Sequence, residues 1–116
     1  MIRSEFEKII PEDVKQYKDI ATKFQQVSME DYDTLNALAR DSWFLACRWN
    51  DIQSMSKKIG EQYGVSKTDF SDWSYHIYRQ LQELHITCRS WYRLAVEEKK
   101  LNEKFGEYEE ARRVVS

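Results

Sequence analysis

Apolar residues recur at three- and four-residue spacing through most of this chain, the period of an amphipathic α-helix and not the alternation of a strand. Val14, Tyr17, Ala21 and Phe24 form one such stripe, widened by Ile20 and Val27. Pro11 suits the first helical position, and Glu12 and Asp13 favour the positive end of the helix that follows. The segment before it, SEFEKII, reads as an N-terminal arm or short helix over residues 1–10. Ser28, with Asp31 three residues on, approximates a capping box for a second helix. That helix carries Tyr32, Leu35, Leu38, Ala39 and the run Trp43-Phe44-Leu45-Ala46-Cys47, apolar nearly all round, as a helix buried mid-domain would be. Asn50 is positioned to cap a fresh helix; otherwise the helix runs on towards Tyr63.

Beyond Ser66 the positions Phe70, Trp73, Ile77, Leu81, Leu84, Cys88, Trp91 and Ala95 continue the pattern without punctuation until Gly106. A helix of that length would measure ~58 Å at 1.5 Å per residue. Tyr78, His85 and Tyr92, seven apart, flank the stripe, and residues 106–116 read as a weakly packed tail. The pattern predicts a single all-α domain over residues 1–116, a three- to four-helix bundle with two long C-terminal helices. The expected core includes Phe24, Leu35, Leu38, Trp43, Ala46, Phe70, Trp73, Ile77, Leu81, Leu84 and Cys88.

Composition supports this and narrows the function. One proline and three glycines among 116 residues leave little material for the turns of an all-β fold. Four Trp, seven Tyr and five Phe supply a substantial core. No apolar run is long enough to span a membrane, and no secretory leader is evident. Cys47 and Cys88, far apart in apolar helical patterns, fit reduced, buried thiols in a cytoplasmic protein.

Catalysis finds little support. Although Arg48 and Arg89 follow the two cysteines, neither has a neighbouring basic group that would plainly make a thiolate, and no Gly-rich phosphate loop is present. His85 and Cys88 lie on one helical face, but a zinc site would need Cys47 and His76 to converge with them through an apolar core. The glutamates Glu97, Glu98, Glu103, Glu107, Glu109 and Glu110 alternate with lysines as a solvated surface does. No cofactor, metal or small-molecule substrate is expected, and the chain reads as a binding protein without enzymatic activity.

One segment carries a functional pattern. Within residues 52–77, Tyr63-Gly64-Val65-Ser66 closes one helical segment and opens another. Gly60, Gly64, Val65, Phe70 and Trp73 stand at the spacing of the small residue, the turn glycine and the buried apolar anchors of a helix-turn-helix. The segment resembles the helix-turn-helix of DNA-binding proteins. That resemblance implies that the second helix enters a major groove with Ser66, Lys67, Thr68, Ser71, Asp72 and Tyr75 facing outward. Lys57, Lys58 and Lys67 would then contact phosphates, and Thr68, Ser71 and Tyr75 base edges or sugars. Two departures stand against the pattern: Asp69 and Asp72 carry negative charge there, and the second helix is unusually long.

The net charge of −2 is unevenly spread. Residues 1–33 hold five Lys/Arg and eight Asp/Glu, whereas residues 52–93 hold six against four. Arg79, Arg89, Tyr92 and Arg93 interleave cations with an aromatic beside Trp91, a composition suited to stacking on bases or gripping a protein. The leading expectation is a DNA-binding regulator using the 52–77 segment. The alternative is a protein-binding module: a small helical subunit of a larger nucleoprotein assembly, or an inhibitor or adaptor. A homodimer or other protein partner is expected along the Tyr75, Tyr78, His85, Tyr92 stripe.

Overall fold

The computed structural model describes residues 2–115, and the side chains of residues 5–107 and 109–112. It is all-α, with five helices among the described residues: α1 (Ile2–Ile9), α2 (Pro11–Gln26), α3 (Tyr32–Ser54), α4 (Ser56–Tyr63) and α5 (Lys67–Val115). The molecule is a rod of 78 × 20 × 17 Å. Its long axis is α5, whose 49 residues span ~73 Å at 1.5 Å per residue.

Helices α2, α3 and α5 form a three-helix bundle, and pairs of named residues fix its directions. Ala39 meets His85 and Trp49 meets Trp73, so α3 runs antiparallel to α5. Phe24 stacks on Trp91 at 5.2 Å and Tyr17 donates to Gln80 Oε1, so α2 runs parallel to α5. Arg48 joins α3 to α2 through a 3.1 Å ion pair with Asp13. The core is continuous along the rod, from Phe6 and Phe70 at one end through Trp49, Ile52, Ile77 and Leu81 to Cys88.

Local chemistry explains most helix ends. Pro11 occupies the first turn of α2, where its missing N–H costs nothing. The cap of α3 is Asp31, not Ser28: its carboxylate accepts from Thr34 N–H at 3.1 Å and Thr34 Oγ1 at 2.6 Å. Both bonds favour the ionised carboxylate and lower its pKa. The buried hydroxyls of Ser42 and Ser74 donate to carbonyls of their own helices, so neither interrupts the α3–α5 seam with an unmet polar group.

Several expectations need correction. The chain does not break at Asn50, which lies inside α3; the interruption falls five residues later, at Met55. Nor does Gly106 end the last helix, which continues to Val115. Trp43 is 50% exposed, and Phe44 and Cys47 are exposed with it. Helix α3 buries one side of its circumference against α2 and α5, and these three residues fall on the other. Phe24, Trp73 and Leu84 are half-buried and pack against the core, while the remaining expected core residues are buried. Phe6, in the segment read from sequence as an arm or short helix, belongs to a short helix and is 1% exposed. It lies 5.3 Å from both Phe70 and Trp73, so α1 closes one end of the bundle.

Candidate nucleic-acid interface

At that same end, α4 turns into α5 over three residues, Gly64-Val65-Ser66. Gly64 has φ 66°, a left-handed conformation in which a side chain would be strained. Val65 N–H donates back to the Gly60 carbonyl at 3.2 Å, the six-to-one bond of a Schellman turn. Val65 and Ile59 both join the core, supplying the apolar contact that accompanies such turns. Ser66 caps α5, its hydroxyl accepting from Asp69 N–H at 3.3 Å.

At Gly60 the turn and the start of α5 come close to the backbone of α4. A Cβ built there would stand 2.9 Å from the Val65 carbonyl oxygen and 3.4 Å from the Lys67 nitrogen. The turn therefore folds back over α4 tightly enough that position 60 admits no side chain without movement. Behind it, Ile59 and Phe70 are buried and Trp73 packs between Phe6, Trp49 and Phe70. The break at Met55 separates α4 as an eight-residue helix of its own. A short helix, a glycine turn and a second helix anchored by Phe70 and Trp73 thus stand at the end of the rod.

The outward residues follow from this anchoring. With Phe70, Ser74 and Ile77 turned inwards, Lys67, Thr68, Asp72 and Tyr75 are exposed and Ser71 is half-buried. Lys57 and Lys58 are exposed on α4. At ~100° per residue, Thr68, Ser71, Tyr75 and Arg79 fall within an arc of ~80° on one face of α5. Tyr75 and Tyr78 lie 6.4 Å apart, and Arg79 donates to Gln82 at 3.4 Å. Residues 56–79 carry four Lys/Arg (Lys57, Lys58, Lys67, Arg79) and three acids (Glu61, Asp69, Asp72). Among the described residues none of these seven charges makes an ion pair; the ion pairs lie elsewhere, at Lys18–Glu7, Arg40–Asp41 and Arg48–Asp13.

The other candidates lie apart. Arg89 and Arg93 are exposed and return to the face of Thr68 and Tyr75, but Arg89 is ~32 Å further along the helix. A major groove is ~12 Å wide, so a straight helix crossing it at Thr68 carries these arginines well beyond the crossing. Tyr92 is half-buried. The stripe expected to meet a partner is partly spent inside the bundle: Tyr78 and His85 are half-buried, and only Tyr75 is exposed. His85 Nδ1 donates to the Ala39 carbonyl at 2.6 Å, and its ring lies 5.2 Å from Trp43. That bond turns His85 towards α3. No group of three His, Cys, Asp or Glu side chains converges as metal ligands would among the described residues.

Two grooves flank α3. One, of about 330 Å³, includes Asp19, Ile20, Phe44 and Leu45 in its lining. The other, of about 360 Å³, includes Trp43, Cys47, Tyr78 and Gln82. Neither lies at the α4–α5 end. No helix among the described residues is long and apolar enough to cross a membrane. No family model matches the chain, and no curated protein or solved structure proves similar to it.

Proposed function

We propose that the α4–turn–α5 end of the rod is a reading head for duplex DNA and that the protein is a DNA-binding regulator without enzymatic activity. The observation that carries this reading is the close approach at Gly60. A loose helical hairpin has no need of a residue without a side chain facing the turn, whereas a compact helix-turn-helix does. The start of α5 enters the major groove. Lys57, Lys58 and Lys67 neutralise phosphates on either side, while Thr68, Ser71 and Tyr75 reach base edges and sugars. Asp72 on the same surface is suited to accept from a cytosine N4 amino group. With only four cations at the head, affinity depends on few phosphate contacts, and binding favours low salt.

The test is a fluorescence-anisotropy titration of the full chain against random duplex DNA at several salt concentrations. Binding should weaken linearly in log–log form as salt rises, and Lys67→Ala should reduce the slope by ~1. Absence of binding to any duplex pool at low salt would remove the proposal. The alternative, a protein-binding module, draws support from a different part of the molecule, the exposed apolar residues of distal α5.

A further inference from the structure

Helix α5 outruns the bundle. Lys99 lies 5.6 Å from the ring centroid of Tyr32, the first residue of α3, and every described side chain from Glu97 to Arg112 is exposed. Some 16 residues, ~24 Å, therefore project as a single helix. Isolated helices of that length are marginal in water, and Gly106 within this one weakens it further. Its exposed residues are not uniformly polar. Leu94, Leu101 and Phe105 are 55%, 54% and 59% exposed, and their seven- and four-residue spacing sets them in one stripe. The stripe is turned ~120° from the face that Ile77, Leu81 and Cys88 bury.

We infer that a second copy of this chain covers the stripe, in antiparallel orientation, through the distal arm of α5. The arm's own charges select the occupant and the direction. Glu98 occupies the stripe between Leu94 and Leu101. A parallel pair would set Glu98 against Glu98 of the second copy inside the seam, where like charges are unfavourable. The antiparallel register with Leu94 opposite Phe105 of the second copy instead sets each Glu98 against Leu101 of the other helix. The same register brings Glu97, beside the stripe, next to Lys104 of the second copy, and the symmetry of the pair repeats that match. Within one helix Glu97 and Lys104 are ~10.5 Å apart, too far to pair with each other. The two heads then stand at opposite ends of a long assembly.

The test is sedimentation equilibrium of the full chain across a wide concentration range, with mass as the readout, so it stands or falls separately from DNA binding. A monomer–dimer equilibrium is expected. Leu101→Glu and Phe105→Glu should each raise its dissociation constant about 30-fold or more, the scale of a lost hot spot, with the near-UV signal of the tryptophan core unchanged. Glu97→Lys and Lys104→Glu should each weaken it by about fivefold, and the double exchange should restore it. A monomer at every concentration would overturn the inference and give the stripe to a different partner. Dimers indifferent to positions 101 and 105, or a double exchange that restores nothing, would overturn it as well.

Discussion

The backbone of Gly60 approaches the Val65 carbonyl so closely that an added Cβ would lie 2.9 Å from that oxygen. Gly64, four residues on, has open space around it and a φ of 66°. The two glycines therefore resist substitution for different reasons. Gly60→Ala gains ~1 kcal/mol of helix propensity but meets backbone, at an overpacking cost of ~1–3 kcal/mol, leaving a modest net loss. Gly60→Val should lose clearly more, because it adds bulk and forfeits most of the propensity gain. Gly64→Ala should cost ~1–2 kcal/mol from left-handed strain alone, and Gly64→Asn less. Urea denaturation of the four variants checks this order; equal losses for Gly60→Ala and Gly60→Val would show that the contact relaxes freely.

The tryptophans should separate by position. Trp49 is fully buried and Trp73 packs against it at 5.4 Å and against Phe6 at 5.3 Å. Replacing either with Ala should cost ~3–5 kcal/mol. Trp43→Ala, on the open side of α3, should cost less than ~1 kcal/mol. Thermal or urea unfolding gives the comparison directly.

The cysteines should differ in reactivity and in pH response. Cys47 is exposed, whereas burial pushes the Cys88 thiol up to about 11 from 9.0. A thiol reagent should modify one cysteine in the native protein and two in denaturant. As pH rises from 9 towards about 11, the unfolded Cys88 ionises while the folded one keeps its proton. The unfolded state then binds fewer protons, so stability falls across that window. Unfolding midpoints measured against pH should decline more steeply for the native sequence than for Cys88→Ala.

How far the sequence speaks for this structure depends on the kind of signal. Periodicity alone yields the all-α fold and most of the core, and the outward set Thr68, Ser71 and Tyr75, implied by the helix-turn-helix resemblance, agrees with it because Phe70, Ser74 and Ile77 share the opposite face of one regular helix. It fails at Trp43-Phe44-Leu45-Ala46-Cys47, since an uninterrupted apolar run carries no phase and cannot say which side faces out. The break at Met55 is silent for another reason. No side chain caps α4, and Met55 N–H simply shares the Asp51 and Ile52 carbonyls. Asn50 advertised a cap that the packed α3–α5 seam overrides. Phe6, with Ile9 and Ile10 three and four residues on, held a legible signal that a short segment makes easy to pass over.

Charge at the head gives a prediction opposite in sign to those for the lysines. Asp72 is exposed beside Ser71 and forms no ion pair among the described residues. Asp72→Asn should strengthen binding to most duplexes at low salt by removing repulsion from phosphates, while weakening any preference that depends on cytosine. Anisotropy titrations on random and on selected duplexes separate the two effects.

The most direct test of the DNA-reading head is selection from a randomised duplex library, run in parallel with the native chain and with Ser71→Ala and Thr68→Ala. These side chains are exposed or half-buried on the outward face of α5, so their loss should leave the core intact. The native protein should enrich a defined sequence, and each variant should relax the preference at particular base positions while binding random DNA nearly as well. Enrichment of no sequence, or variants that select as the native chain does, would contradict the assignment of this surface to DNA.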